Sequence, residues 1–252
     1  MAKLADKIAL ITGGGGGIGR ATALAMAAEG ATVIVCDVAR AAAEAVAAEV
    51  DASGARAVAI TADVSRADQV SALIAQIVAR FGRLDIAFNN AAIDVEHEPM
   101  DRCSEETFDD LMRVNVKGVW LCMKYEIQQM LGQGGGAIVN TSSIAGLSGA
   151  PRQPVYSATK HAILGLTKSA ALEYGRKGIR INAVCPGVIR TQMMERALAR
   201  DPRRQVRVER IHPIGRVGEA EEIARAVVFL SSEDAAFVLG HALAVDGGYS
   251  AT

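Results

Sequence analysis

Short runs of apolar and β-branched residues alternate along the chain with longer stretches whose apolar positions return every three or four residues. Residues 7–12 (KIALIT), 32–37 (TVIVCD), 56–61 (RAVAIT), 84–89 (LDIAFN), 137–141 (AIVNT), 179–184 (IRINAV) and 242–245 (ALAV) are the short runs. Each reads as a strand buried on both faces. Helical periodicity covers residues 20–29, 40–50, 105–131, 155–175 and 219–230. A further helix between Ser65 and Gly82 has Ser65 as its expected cap and Asp68 in capping-box spacing, and Ser104 is the expected cap of the 105–131 helix. The polar segment 191–212 also reads as helical. Strands alternating with helices throughout predict an α/β fold, a doubly wound seven-stranded parallel sheet with helices on both faces.

Ligands in such sheets bind beyond the carboxyl ends of the strands, where the strand order reverses. Gly13 to Gly19, Asp37, the pair Asp63-Val64, Asn89, Ser143 and Pro186-Gly187 all fall at those ends. The glycines follow a strand and open a helix, so the backbone can approach a pyrophosphate closely and the helix N-terminus can face it. They can be registered as Gly14, Gly16 and Gly19 or as Gly13, Gly17 and Gly19. Asp37 ends the second strand, eighteen residues after Gly19, where a carboxylate accepts hydrogen bonds from an adenosine ribose. It can also cap the helix that follows. These features predict NAD as cofactor, with Arg20 and Arg40 the only cations placed to offset repulsion of a 2′-phosphate.

Composition narrows the class of protein without naming it. The 252 residues are 50% apolar and 22% charged, with a net charge of −1. That balance gives no electrostatic case for nucleic acid or a membrane as partner, and the length suits one domain over residues 1–252. Cys36, Cys103, Cys122 and Cys185 are far apart, as expected of free thiols in the cytoplasm. The four histidines lack metal-ligand spacing, so no metal is expected. Residues 127–151 carry no charge, but glycines and polar Asn140 to Ser143 break the run into loop, strand and loop.

Tyr156 and Lys160 stand four apart, on one face of a helix. A cation beside a phenol favours the phenolate, by about 1–3 pK units for nearby charges. Taken in order, Thr12-Gly13…Gly17-Ile18-Gly19, Asp63, Asn89-Asn90-Ala91, Asn115, Ser143, Tyr156…Lys160 and Pro186-Gly187…Thr191 resemble the motifs of the short-chain dehydrogenase/reductase family. The resemblance covers essentially the whole chain and implies a single-domain Rossmann fold. Ala92 departs from it, where the family usually has glycine.

The resemblance implies the following roles. Tyr156 is the general acid/base on the substrate oxygen, and Ser143 hydrogen-bonds the same oxygen. Lys160 lowers the pKa of Tyr156 and binds the nicotinamide ribose. Asn115 bends its helix and holds a water that links Lys160 to solvent. Gly13, Gly17, Ile18, Gly19, Asp37, Asp63, Val64, Asn89, Pro186, Gly187 and Thr191 contribute to the dinucleotide site. Plainer readings stand beside some of these. Ser142 is an equally good hydroxyl, Asn115 reads as a satisfied buried amide, Asp63 as a loop cap, and Thr191 as a helix cap.

The expected activity is NAD(H)-dependent interconversion of a neutral secondary alcohol and its ketone. Residues 93–100, 145–153 and 188–212 should line the substrate site, and they are mostly apolar or small. Residues 188–213 are expected to form a lid that closes over nicotinamide and substrate. Two other readings remain: a 3-oxoacyl-carrier-protein reductase, which would use NADP(H), and a non-catalytic dinucleotide sensor, which would not need both Tyr156 and Lys160. The family resemblance also implies a homotetramer, with the 105–131 and 155–175 helices paired across a two-fold axis.

Overall fold

The computed structural model describes residues 2–191, 194 and 211–251. In chain order the elements are β1 (Ile8–Thr12), α1 (Gly17–Ala28), β2 (Thr32–Asp37), α2 (Arg40–Ala52), β3 (Arg56–Thr61) and α3 (Ala67–Phe81). Then come β4 (Ile86–Asn89), α4 (Glu105–Leu111), α5 (Val119–Gln133), β5 (Gly136–Thr141), α6 (Pro154–Tyr174) and β6 (Ile179–Pro186). The chain continues through β7 (Ile189–Arg190), β8 (Gly218–Glu219), α7 (Ala220–Ser231) and β9 (Ala242–Val245).

The main sheet has seven parallel strands in the order β3-β2-β1-β4-β5-β6-β9. The order reverses between β1 and β4, so the crevice beyond their carboxyl ends is the switch point. Side chains along β1 show why the apolar runs lack polar gaps. Ala9 and Ile11 enter the core under α1, α2 and α7, whereas Ile8 and Leu10 enter the core under α3, α5 and α6. Both faces are covered, as the unbroken apolar runs predict.

Two local expectations are corrected, and one feature is added. The predicted 105–131 helix is interrupted by a π-helical segment, Met112–Gly118, centred on Asn115. Such segments interrupt the regular ladder and recur at functional sites. The first turn of α3 is not capped by Ser65. Arg66 holds the cap position without a side-chain bond, while Ser65 accepts from Arg113 Nη1 at 2.8 Å and its N–H donates to Asp63 Oδ1 at 2.9 Å. Finally, β7 and β8 form a two-stranded parallel pair, too short to leave a sequence pattern.

A polar network is buried between β4, β5, α5 and α6. Asn89 Nδ2 donates to Glu126 Oε2 and to Asn140 Oδ1, both at 3.0 Å, and Asn140 Nδ2 donates to Thr167 Oγ1 at 3.0 Å. Glu126 is fully buried, and burial pushes its carboxyl up to about 8 from the ordinary value near 4.5, with the Asn89 bond opposing. It is therefore mostly protonated at neutral pH. Its folded pKa is raised, so its contribution to stability is complete below about pH 4.5 and is lost as pH rises through about 8. We predict that the stability difference between wild type and Glu126→Gln shifts against wild type by on the order of a few kcal/mol across that window. Denaturant melts of both proteins from pH 5 to 9 check this, and parallel pH profiles would refute it.

Candidate active site

The glycine turn is built by contacts between the ends of β1 and β4. Thr12 Oγ1 accepts the N–H groups of Asn90 at 3.1 Å and Ala91 at 3.2 Å, and Asn90 Nδ2 donates to the Gly13 carbonyl at 3.1 Å. A methyl on Gly19 would lie 2.1 Å from that same carbonyl oxygen, so only glycine lets α1 start this close to the turn. Gly13 has φ +62° and Gly17 φ +51°, whereas a methyl on Gly16 would meet nothing within 4 Å. The register Gly13, Gly17, Gly19 is therefore the one that carries the constraint.

Helix α1 begins with no side-chain cap and no acidic residue in its first turn, where Ile18 sits. Its N–H groups and positive dipole end thus face the open turn, an arrangement suited to a pyrophosphate. The dinucleotide expected here fits this cradle. Asp37 borders the turn on the other side: its Oδ2 accepts the Gly15 N–H at 3.0 Å and its Oδ1 the Ala39 N–H at 2.9 Å. One carboxylate thus closes the turn and holds the backbone before α2. The cap position of that helix, Ala39, has no side-chain cap bond, so Asp37 is not the helix cap.

The remaining expected cofactor residues divide by where their side chains point. Asp63 turns its carboxylate to Ser65 and its N–H to Gln69 Oε1, at 2.7 Å. Val64 is buried against Gly118, with Leu121 and Cys122 in the same cluster. Asn89 points into the Glu126 network, away from the glycine turn. The side chains of these three are engaged away from the glycine turn, whereas the Asn90 amide, absent from the expected site residues, reaches it. Thr191 lies over Gly17, where a methyl would meet its Cγ2 at 3.3 Å. Pro186 ends β6, and the Gly187 N–H donates to the Val245 carbonyl at 3.1 Å. His212 is buried there and its Nε2 accepts the Val188 N–H at 3.2 Å. Most of the 188–213 lid segment lies outside the described residues.

Tyr156, Lys160, Ser143 and Asn115 come together at the ends of β5 and α6. Lys160 is only 3% exposed and its Nζ donates to the Thr141 carbonyl at 3.0 Å, 5.5 Å from the centre of the Tyr156 ring. Burial brings this ammonium down to about 8, with Asp94 and then Cys185 opposing the drop. The Ser143 hydroxyl, which accepts the Ala145 N–H at 3.1 Å, acts on the Tyr156 phenol by lowering its pKa. Ser142 instead donates to the Lys160 carbonyl at 2.9 Å and supports the helix, so the structure separates two hydroxyls that looked equivalent.

Asn115 is 1% exposed; its Oδ1 accepts the Ile93 N–H at 2.8 Å and its Nδ2 donates to the Ile93 carbonyl at 2.9 Å. This matches the plainer reading of a satisfied amide, and it ties the π segment to the loop after β4. Tyr156 differs from expectation. Burial, and next the charge of Asp94, push its phenol well above the ordinary value, and the Ser143 bond pulls it only partway back. The expected lowering does not dominate, because Lys160 is itself buried and its ammonium is directed at a carbonyl.

Among the described residues no group of three or more His, Cys, Asp or Glu could hold a metal ion, and no helix is long and apolar enough to cross a membrane.

A family model described as enoyl-(acyl carrier protein) reductase matches residues 14–250. Together with the glycine cradle and the Tyr156–Lys160 pair, this match shows that the chain belongs to the short-chain dehydrogenase/reductase family. Two relatives are similar over nearly their whole length. One is 2,5-dichloro-2,5-cyclohexadiene-1,4-diol dehydrogenase of Sphingobium indicum, 47% identical over 100% of both chains. The other is cyclohexanol dehydrogenase of an Acinetobacter species, 44% identical over 98% of this chain and 96% of that one. The solved structure of levodione reductase superposes with a TM-score of 0.95 at 42% identity, covering 99% of each chain.

Proposed function

We propose that the protein is an NAD(H)-dependent oxidoreductase that interconverts a neutral secondary alcohol and its ketone. The observation that carries this reading is the grouping of Ser143, Tyr156 and buried Lys160 beside the glycine cradle. Relatives named for cyclic alcohols and ketones support it.

In this reading Gly13, Gly17, Ile18 and Gly19 hold the pyrophosphate and Asp37 the adenosine ribose. Asp63, Val64 and Asn89 line the adenine side through their backbone. Pro186, Gly187 and Thr191 flank the nicotinamide, and Lys160 reaches its ribose. The bound dinucleotide supplies the hydride acceptor or donor. Ser143 orients the substrate oxygen, and Tyr156 gives it a proton during reduction or takes one during oxidation. The raised phenol is protonated at rest, as the reductive direction requires. Asn115 positions the loop after β4 against the catalytic helix.

The structure also bears on the two arginines that could favour a phosphorylated cofactor. Arg40 Nε is paired with Glu44 at 2.7 Å and Arg20 Nε with Glu49 at 2.8 Å, so both cations already have carboxylate partners. A 2′-phosphate about 4 Å from Asp37 would be repelled by roughly 1 kcal/mol in water and about 4 at an effective dielectric of 20. A relative named 3-oxoacyl-(acyl-carrier-protein) reductase favours a second reading, a 3-oxoacyl-carrier-protein reductase, but that activity is expected to use the phosphorylated cofactor, which Asp37 opposes. The sensor reading is set aside because Tyr156 and Lys160 are both present and in contact. All four cysteines are free thiols, which suits a reducing cytoplasm.

We also propose a homotetramer. Trp120 and Leu172, on α5 and α6, are exposed, and Met112, Val116 and Leu166 line an apolar depression beside Trp120.

Three measurements test these readings. Tyr156→Phe should lower kcat with cyclohexanol more than about a hundredfold while NADH still binds; a variant keeping a tenth of wild-type turnover refutes the assignment. kcat/KM for NAD should exceed that for NADP by about fivefold to a thousandfold, and Asp37→Ser should narrow the gap. Use of both cofactors within threefold by wild type, or no gain in the variant, rejects the cofactor reading. Sedimentation at micromolar concentration should give a tetramer mass, and a sharp monomer mass would exclude it.

A further inference from the structure

The loop after β4 brings two carboxylates to the start of α6, and they have different surroundings. Glu96 is 1% exposed and accepts the N–H groups of Val155 at 3.2 Å and Tyr156 at 2.8 Å. It caps α6 in place of Gln153, which holds the cap position without a side-chain cap bond. Arg152 fixes the same loop by donating from Nε and Nη2 to the His97 carbonyl, at 3.0 and 2.7 Å. Asn115 fixes its other end at Ile93.

Asp94 lies between these anchors and keeps part of its surface accessible. Its Oδ1 accepts Gln153 Nε2 at 2.8 Å. Asp94 follows Ile93, held by Asn115, and precedes Glu96, which holds the Tyr156 N–H, so it sits on the loop packed against the start of α6. Its charge raises the pKa of both the Tyr156 phenol and the Lys160 ammonium. A negative charge there opposes formation of the tyrosinate, so it hinders the proton transfer in the oxidative direction. Nothing in the acid–base chemistry calls for it. The rest of the expected substrate lining is mostly apolar or small.

We propose that Asp94 and Gln153 form a specificity-determining pair that binds a second hydroxyl of the substrate, so that diols and hydroxyketones are preferred to simple alcohols and ketones. This rests on the alcohol/ketone reading given above. A carboxylate has about four lone-pair positions, so it can accept a substrate hydroxyl in addition to the Gln153 N–H. The second hydroxyl donates to the carboxylate, while the Gln153 amide offers both an N–H and a carbonyl. A substrate without that hydroxyl covers the accessible part of the carboxylate without bonding to it, and a pocket built to bond a hydroxyl discriminates against an analogue that lacks one. A substrate carboxylate or phosphate is repelled by the same charge.

The test compares cyclohexanol with cyclohexane-1,2-, 1,3- and 1,4-diol in wild type, Asp94→Asn, Asp94→Ala and Gln153→Ala. Two ratios are read: the diol-to-cyclohexanol ratio of kcat/KM with NAD, and the corresponding ratio of dissociation constants from quenching of bound NADH fluorescence. Wild type should favour at least one diol about tenfold or more, and the Asp94 variants should reduce that preference at least fivefold. Gln153→Ala reads the same ratio if the Asp94 variants fold poorly, as judged by their melting. A wild-type protein without preference for any diol, or variants whose preference changes less than fivefold, would overturn the proposal. Selective diol binding without turnover of any alcohol would uphold the pair and count against the alcohol/ketone reading alone.

Discussion

A parallel sheet buried on both faces admits polar side chains within its strands only where they are hydrogen-bonded, as Asn140 is, and that constraint orders this molecule. Along β1, alternate side chains enter two separate cores. Polar function is therefore displaced to the carboxyl ends, where strands stop pairing and backbone groups become available. Thr12, Asp37, Asn89, Thr141 and Pro186 each stand at the last position of a strand. The close approach of Gly19 to the Gly13 carbonyl is the sharpest local expression of the same constraint. It lets a helix N-terminus begin almost on top of the strand end.

The site is held by polar groups that do not themselves react. Thr141 directs the Lys160 ammonium, Ser142 holds the Lys160 carbonyl, and Glu96 holds the N–H of Tyr156. Each of these bonds fixes Tyr156 or Lys160, the side chains proposed to react, through its backbone or its far end. Preorganisation of this kind places the phenol before substrate arrives and avoids rearrangement during the reaction. Asn115 belongs to the same scaffold, since its amide spans the Ile93 backbone and joins the π segment to the loop that carries Asp94 and Glu96.

Electrostatics in this pocket is a competition between burial and charge. Burial alone would leave both Tyr156 and Lys160 neutral, and the two are affected in opposite directions. Asp94 favours the charged lysine and disfavours the charged tyrosine. Tyr156 and Lys160 therefore lie in a field partly set by a residue outside the Tyr-x-x-x-Lys motif. That field also makes the pocket unlike a uniformly apolar cleft.

Much of this was legible in the sequence, for identifiable reasons. Unbroken apolar runs such as Thr32 to Asp37 signal doubly covered strands, and glycines between a strand and a helix signal a phosphate cradle, because both patterns follow from short-range sterics and solvation. The spacing of Tyr156 and Lys160 fixes their shared helix face in the same local way. Tertiary structure decided what depends on distant partners. It chose Gly13, Gly17 and Gly19 over the other register, because the folded turn gives Gly13 and Gly17 positive φ and leaves open space at Gly16. It turned the side chain of Asn89 toward Glu126, 37 residues away, and assigned Ser142 to support and Ser143 to the phenol. It also reversed the expected direction of the Tyr156 shift. Burial and the approach of Asp94 arise only when the loop after β4 folds against α6, and no local pattern encodes that contact.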